Sequence, residues 1–422
     1  MVNRWNRGGW EGVRVTILLL VVSAFTGALV GAKTVNVRDC GAKGDGKTDD
    51  TAALKKAIQA ASEPDGGDLF LPAGYYMVSE TLTLEKITGL TLRGEGTVSI
   101  HWPFKKFQRA PTATCLIWDG EPGEVMLKSL GCSGLAIRDL VLDGRDRRKD
   151  RPEKKARVLF LSVSEPNAVD AHHRFHNVCF LDAETGIQMG DKDRGEGSSD
   201  MRFESVVFNS LDTAFWTRHP ESVNHSFQDI LILNCSRGLY FERGGNVSVN
   251  GLQASVCDRL ICIDGGGRAN GAFRFDDVRL ETLLGGKERR DQLLSCHPSE
   301  GPVVVRFATF NDIQWAWFDN KSEMRHRPLC DIGPGSLVTF ENAIINGPLA
   351  EMMGLDERPS FLTVRDSYFS YVAPDQAIAA NAFGYFRVLD SLFYNRLFAD
   401  VMKWPDREPK QLPPQRQIKR PF

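Results

Sequence analysis

A short pattern that recurs every 22 to 28 residues is the feature that most constrains the fold of this sequence. It consists of a large apolar residue, any residue, a small polar residue or Gly, and then two apolar residues separated by one position. The pattern opens four successive segments, at Phe175, Phe203, Phe227 and Val249. A second apolar alternation begins twelve residues after each opening residue, at Ile187, Phe215, Leu239 and Ile261. Because both patterns advance by the same steps of 28, 24 and 22 residues, the segments share one register.

Each repeat contains two short strands joined by a turn, and such a unit cannot bury its apolar side chains alone. Stacking of successive repeats buries them, with each turn of chain lying ~4.8 Å above the last. The period and the alternation therefore predict an all-β, single-domain, right-handed parallel β-helix of about ten coils.

The opening pattern also occurs outside these four segments, at Ile87, Ile137, Phe275, Phe310, Phe340, Val364 and Val388. The third position of the pattern is usually an acidic or amide residue or Gly, as at Gly89, Asp139, Asp277, Asp312, Asn342, Asp366 and Asp390. These residue types tolerate the left-handed backbone of a tight turn. We therefore interpret the column as a structural ladder of turns and not as a set of catalytic groups.

The first coil of such a stack needs a cover, and the sequence supplies a candidate helix. Asp49 and Asp50 precede a stretch in which Leu54, Ile58 and Ala61 share one helical face. Acidic residues suit the start of a helix because they accept its free N–H groups and complement its dipole. We expect this helix to cap the N-terminal end of the solenoid.

The two ends of the chain have the composition of processed or unstructured segments. Residues 1–32 contain basic residues, an apolar run and the small-residue triplet Val30-Gly31-Ala32, a layout that predicts a signal peptide. The alternative for this segment is a retained membrane anchor. Residues 401–422 are rich in Pro and charge, which predicts a disordered tail, so the β-helix domain is expected at 33–400. The protein is expected to be secreted, extracellular or periplasmic, with no membrane association after signal cleavage.

Charge and cysteine content narrow the choice of ligands. Signal cleavage leaves 49 basic and 53 acidic residues, a formal net charge of −4, which argues against a nucleic-acid partner. The nine Cys residues show no metal-ligand spacing. Cys235 and Cys257 occupy equivalent positions in successive repeats, so they are expected to be neighbours, either as a disulfide or as small core residues.

The N-terminal region of the domain carries several motifs in a fixed order. They are Gly41–Gly46, Thr48–Thr51, Pro72–Tyr75 and Leu92–Gly96. Residues 35–100 resemble the rhamnogalacturonase and epimerase-like pectate lyase group of the pectin-lyase-like superfamily in both order and spacing. The resemblance implies a β-helix scaffold and carbohydrate chemistry, with hydrolases, lyases and phage tail proteins among the members. The strings Asn-Thr-Asp, Gly-Asp-Asp, Gly-His-Gly and Arg-Ile-Lys of polygalacturonase-like members are absent, which argues against that activity.

Alternation along the second strand of each repeat determines which side chains point outward. One predicted outward column reads Gln188, Trp216, Tyr240 and Cys262. The next reads Gly190, Arg218, Glu242 and Asp264, with Asp191, His219 and Arg243 just beyond. Six other histidines share no column and are interpreted as surface or turn residues: His172, His173, His176, His225, His297 and His326.

These columns predict a sugar-processing site. Glu242 and Asp264 are the expected acid and base pair, with Arg218 and His219 as further catalytic candidates. Aromatic faces suit the apolar side of a sugar ring. The expected substrate-binding residues are Trp216, Tyr240, Gln188, Arg243 and Asp191. The alternative interpretation is an exposed ladder of ion pairs with the aromatic rings packed under a loop.

Three functions remain open at this point. The preferred one is a glycoside hydrolase that acts on a polysaccharide, pectin-like or another acidic glycan, without a cofactor. A second is a polysaccharide lyase in which Glu242 and Asp264 hold Ca²⁺ and Arg218 removes the proton. A third is a β-helix that binds glycan along Trp216 and Tyr240 without cleaving it. The oligomeric state cannot be inferred from the sequence.

Overall fold

This computed structural model describes residues 33–63, 67–97, 99–100, 107–108, 112–144, 156–192, 197–265, 271–282, 291–299, 301–314, 328–370, 372 and 374–394. The predicted signal peptide, the predicted tail and His326 lie outside these residues. Within them, no helix has the length and apolar character needed to cross a membrane.

The described residues are almost entirely strand. Strands β1 to β16 are Thr34–Asn36, Asp45–Asp49, Asp68–Phe70, Gly74–Val78, Leu82–Glu85, Thr91–Arg93, Ser99–Ile100, Phe107–Gln108, Thr114–Trp118, Val125–Leu130, Ala136–Asp143, Val158–Val163, Arg174–Leu181, Thr185–Met189, Arg202–Glu204 and Val207–Asn209. Strands β17 to β32 are Thr213–Thr217, Val223–Phe241, Gly245–Ile263, Ala272–Thr282, Gln292–Cys296, Val303–Phe307, Phe310–Gln314, Cys330–Ile332, Ser336–Glu341, Ala343–Asn346, Ala350–Met352, Ser360–Arg365, Tyr368–Ser370, Ile378–Ala380, Gly384–Leu389 and Leu392–Tyr394. Two helices precede β3: the 3-10 helix Val37–Cys40, and α1, Thr51–Ser62.

The strands form the predicted parallel β-helix. All but β7 and β8 hydrogen-bond into one continuous sheet whose pairs are parallel, and β7 and β8 form a separate antiparallel pair. Phe175, Phe203 and Phe227 pair in register across successive coils. Their rings stack almost parallel, with neighbouring centroids 4.9 and 4.6 Å apart, and all three are buried. The predicted register of these segments is therefore confirmed.

The column of turn residues has the backbone conformation that the sequence predicts. Asn177, Asp229 and Asp277 have φ values of 52°, 53° and 48°, in the left-handed region. Side chains in this column also bond to each other, since Asn177 Nδ2 donates to Asp139 Oδ1 at 2.8 Å. The column serves the turns, as interpreted from the sequence.

At two positions the predicted register is wrong. Phe307 rather than Phe310, and Leu92 rather than Ile87, lie in the column of opening residues. In both coils an apolar residue stands a few positions away from the true member, so the pattern fits two registers. Asp312 is consequently not a turn residue. It is buried, and its Oδ2 accepts a backbone N–H at 3.1 Å.

The predicted N-terminal helix is present as α1, although its start differs from the expectation. Asp50 is the N-cap residue, but its carboxylate accepts the N–H groups of Lys43 and Gly44, at 2.6 and 2.9 Å, instead of a helix N–H. Asp49 accepts the N–H of Thr51 at 3.0 Å. The apolar stripe is buried, at Leu54, Ala57, Ile58 and Ala61. The capping role of the helix stays a prediction.

Two histidines interpreted as surface or turn residues are instead buried. His173 Nδ1 accepts the N–H of Leu135 at 3.3 Å, so Nε2 carries the proton that is shared with Asp170 Oδ2 at 3.0 Å. Ser129 donates to Asp170 at 2.6 Å and is not activated by His173, which makes this network structural. Burial lowers the pKa of His225 to about 4, so this histidine is neutral in the core.

The two cysteines that the repeat brings together are neighbours but not bonded. Cys235 and Cys257 pair across adjacent coils, as predicted, and both are free thiols. Burial raises the pKa of the Cys235 thiol to about 12 and that of Cys257 well above its usual range. They have the character of small core residues, the second of the two expected roles.

The stacked aromatic column is expected to carry much of the stability of the middle coils. Phe203→Ala should lower the free energy of unfolding by about 3–5 kcal/mol, because it removes a ring packed between two others. The measurement is chemical denaturation. Phe361→Ala is the matched control, since this ring is 42% exposed and should cost roughly 1 kcal/mol or less. Equal losses in the two variants would contradict the assignment of the core.

The cysteines give a second test of the packing. Alkylation of the denatured protein without reductant should modify all nine thiols, because none is oxidised. Alkylation of the native protein should modify the half-buried Cys40 before the eight buried thiols. Mass spectrometry reads both results. Two modifications fewer in the denatured sample, mapped to Cys235 and Cys257, would instead establish the disulfide.

Candidate active site

The predicted outward columns lie on adjacent coils of one sheet face. Gln188, Trp216, Tyr240 and Cys262 pair in succession from β14 through β17 and β18 to β19. Arg218, Glu242 and Asp264 each follow the last residue of their strand and form the neighbouring column. Backbone hydrogen bonds hold this column in step, since Glu242 N–H donates to Thr217 O at 3.1 Å. The register therefore brings the predicted carboxylates, Arg218 and both aromatic residues together.

Glu242 is held by groups from the preceding coils. Trp216 Nε1 donates to Glu242 Oε2 at 3.1 Å. Arg218 Nε lies 3.4 Å from the same oxygen, as an ion pair without hydrogen-bond geometry. Lys192 Nζ is 3.9 Å from Oε1. Glu242 is thus surrounded by donors and positive charge, which stabilise its ionised form.

Asp264 repeats the same arrangement one coil further on. The Tyr240 hydroxyl donates to Asp264 Oδ2 at 2.8 Å. Burial raises the pKa of Tyr240, and the hydrogen bond to Asp264 raises it further, so the phenol keeps its proton. The Trp216 and Tyr240 rings are stacked, with centroids 5.7 Å apart. Two aromatic–carboxylate pairs consequently follow each other along the solenoid.

The exposure of two predicted substrate-binding residues differs from the expectation. Gln188 is only 2% exposed, and its Nε2 donates to Gly190 O at 3.1 Å. Tyr240 is 9% exposed. Arg237 covers its ring at 4.6 Å, and Arg218 lies over the Trp216 ring at 4.4 Å. The buried residues position the surface, and of the two rings only that of Trp216 is partly accessible to a sugar.

The other candidates lie at the edge of this surface. His219 Nδ1 accepts the N–H of Glu221 at 3.2 Å, which fixes its ring in a turn. The Arg243 carbonyl accepts the Thr217 hydroxyl at 2.6 Å. Asp191 is half-buried directly after β14, and among the described residues it makes no hydrogen bond or ion pair to Glu242 or Asp264.

Positive charge is concentrated beside the aromatic pair. Arg237 and Arg259 are register partners on adjacent coils. Within the described part of the chain, neither has a carboxylate partner at ion-pair distance. Like charges directly opposite each other on neighbouring strands are unfavourable. This part of the surface is therefore suited to an anionic ligand.

The sequence interpretation missed a histidine–carboxylate pair next to Asp264. Ile263 pairs with Cys296, so His297 continues the column of Asp264. His297 Nε2 lies 3.0 Å from Asp331 Oδ2, and both side chains are 42% exposed. The hydrogen bond to Asp331 raises the pKa of His297. Extension of the β19 register by one coil would have found His297, but the insertion from Gly285 to Pro302 obscures the repeat there.

The arrangement does not fit a calcium site at Glu242 and Asp264. Calcium takes roughly six to eight oxygen ligands. Glu242 instead lies next to the cations Arg218 and Lys192, which would repel a metal ion. Among the described residues, no group of three or more His, Cys, Asp or Glu is arranged to hold a metal.

Comparison with known proteins identifies the N-terminal segment. Residues 34–110 match the family model described as rhamnogalacturonase A/epimerase, pectate lyase-like. The resemblance predicted from the sequence is confirmed. The match covers the first coils and does not reach the candidate site, so it identifies the scaffold and leaves the reaction to the residues of the site.

Individual relatives share the same short segment. Alginate lyase 7 of Azotobacter vinelandii is 61% identical over 44 residues, which are 10% of this chain and 5% of that protein. Plasmin and fibronectin-binding protein A of Streptococcus pneumoniae (strain ATCC BAA-255 / R6) is 40% identical over 65 residues, 15% of this chain and 9% of that protein. The chain thus matches these relatives over less than a tenth of their length.

Among solved structures, DFA-IIIase from Arthrobacter chlorophenolicus A6, in complex with GF2, is similar along most of its length. Its TM-score is 0.57 with 12% sequence identity, and the match covers 85% of this chain and 94% of that one. At that identity the likeness concerns the fold alone.

Proposed function

We propose that this protein is a glycan-degrading enzyme, a hydrolase in preference to a lyase, whose active site is the surface around Glu242 and Asp264. The observation that carries the proposal is the repeated aromatic–carboxylate pair, Trp216 with Glu242 and Tyr240 with Asp264, on successive coils. In each pair the aromatic donor occupies one oxygen of the carboxylate. The site thereby combines fixed carboxylates with an aromatic surface, as sugar chemistry requires.

The charge around the site favours an acidic glycan over a neutral one. Arg237 and Arg259 face each other across adjacent coils beside the Trp216 and Tyr240 rings. A carboxylate of a uronic acid would relieve their repulsion and form charge-assisted hydrogen bonds. The spacing of one coil, ~4.8 Å, is close to the length of one sugar ring, so a chain along the solenoid axis would place successive acidic groups near successive coils.

Hydrolysis fits the surroundings of Arg218 better than β-elimination does. Elimination requires a base that removes a proton from the sugar ring. Arg218 is stacked on Trp216 and paired with Glu242, and a guanidinium in this position keeps its proton. Hydrolysis requires one group that protonates the glycosidic oxygen and one that takes a proton from water. Glu242 and Asp264, on neighbouring coils, are the proposed pair.

The N-terminal match supports carbohydrate chemistry in general. The matched family model is described as rhamnogalacturonase A/epimerase, pectate lyase-like, and one relative is an alginate lyase. Carbohydrate as the partner follows from these names and from the site together. Secretion agrees with a polymeric substrate outside the cell and remains part of the proposal.

A panel of acidic and neutral polysaccharides tests the proposal directly. We expect the purified protein to produce new reducing ends from an acidic member without ultraviolet absorbance, which identifies hydrolysis. Reducing ends with the absorbance of an unsaturated uronate would establish a lyase. Binding without any product would establish a glycan-binding protein and contradict the enzymatic proposal.

Substitution of the two carboxylates tests the location of the site. Glu242→Gln and Asp264→Asn should each lower kcat by about 10²–10⁴-fold, the usual value of a positioned acid or base. Both residues are partly exposed, so their melting temperatures should stay close to that of the wild type.

Glu204→Gln is the matched control, because Glu204 is an exposed carboxylate on β15, away from the proposed surface. It should retain full activity. Wild-type rates for both site variants on a substrate that the wild type cleaves would place the active site elsewhere.

A further inference from the structure

The column that contains both carboxylates continues onto the next coil with a titratable group. Phe241 pairs with Ile263, and Ile263 pairs with Cys296. The residues that follow these three are Glu242, Asp264 and His297, so Asp264 lies between a carboxylate on one side and a histidine on the other. The backbone of His297 is held in place by its N–H, which donates to Ile263 O at 2.7 Å.

The imidazole of His297 is fixed by its surroundings while it stays accessible. Nε2 lies 3.0 Å from Asp331 Oδ2. On the next coil Gly333 leaves space for the ring, since a Cβ atom at Gly333 would lie 2.4 Å from His297 Nδ1. Asp264 and Arg259 are the other charged groups that act on the ring. An exposed histidine with one nitrogen anchored and its face against Gly333 is a side chain with a set orientation.

Glu242 is a poor candidate for the proton donor of the proposed hydrolysis. A general acid must carry a proton at the working pH. Glu242 accepts the Trp216 N–H and lies beside Arg218 and Lys192, so its surroundings favour the ionised form. A histidine paired with a carboxylate is protonated at a much higher pH than a carboxylic acid.

We infer that His297, held by Asp331, is the proton donor of this site and that Asp264 is its base. The inference rests on the proposed function and refines the roles within it. The imidazolium of His297 gives its proton to the glycosidic oxygen as the bond from that oxygen to the sugar breaks. Asp264 takes a proton from the water whose oxygen bonds to the sugar. Exchange with solvent then returns a proton to His297 and removes one from Asp264. Glu242 positions Trp216 and Arg218.

The dependence of the rate on pH distinguishes this assignment from one with two carboxylates. The hydrogen bond to Asp331 raises the pKa of His297 above its ordinary value near 6.5. The donor is therefore present at low and neutral pH and is lost as the pH rises through that raised value. Asp331→Asn weakens the partner, so the alkaline limb of kcat should move to lower pH while the rate at acidic pH is largely kept.

The experiment measures kcat and KM for cleavage of the best acidic glycan from pH 4 to 9 in the wild type and in variants. His297→Gln should lower kcat by about 10²–10⁴-fold with little change in KM and should abolish the alkaline limb. Gly333→Ala should lower kcat by displacing the ring. His176→Gln is the matched control, because His176 is also exposed and also lies near a carboxylate, Glu204, at 4.0 Å, but outside the site. It should resemble the wild type.

Each outcome decides a separate point. Full activity and an unchanged pH profile in His297→Gln, while Asp264→Asn is inactive, would overturn the inference and leave the proposed function intact. An alkaline limb that does not move in Asp331→Asn would also overturn it. If the wild type cleaves no glycan in the panel, the proposed function and this inference fall together.

Discussion

In-register stacking of short parallel strands is the interaction on which the rest of this structure depends. Neighbouring strands lie ~4.8 Å apart, and side chains alternate between the core and the surface along each strand. A slip of one residue in any coil would place its apolar residues in solvent and its polar residues in the core. The stacked rings of Phe175, Phe203 and Phe227 oppose such a slip, because each ring packs against an identical ring above and below it. The register of the core thereby sets the register of the surface.

The candidate site is a consequence of that register. No loop has to fold over the sheet to bring Trp216, Glu242, Tyr240 and Asp264 together, because each follows from its position in the strand of its own coil. The hydrogen bonds from Trp216 to Glu242 and from Tyr240 to Asp264 run between adjacent coils in the same direction. A solenoid can therefore assemble a site from residues more than twenty positions apart in sequence with little ordering cost beyond that of the fold, since the backbone is already fixed.

The sequence predicted this part of the structure well because the repeat is regular where the site lies. The steps of 28, 24 and 22 residues hold from Phe175 to Ile263, and the columns read from them agree with the pairing of Tyr240 and Cys262. The interpretation failed where the spacing changes. His297 is 33 residues beyond Asp264, and an insertion separates them, so counting by period does not align the two. Burial of His173 depends on Asp170 and the backbone of a different coil, contacts that the local sequence does not contain.

Like charge at the edge of the site connects stability with ligand binding. The guanidinium groups of Arg237 and Arg259 occupy paired positions on adjacent coils, where their repulsion opposes stacking. Contact of Arg237 with the Tyr240 ring at 4.6 Å offsets part of this cost, since a cation over an aromatic face is stabilised by about 0.5–2 kcal/mol. An anionic sugar bound between the two arginines would remove the remainder, because it brings opposite charge to both. Free energy that the unliganded coils lose to repulsion would then appear as affinity for an acidic glycan, and a neutral glycan would gain none of it.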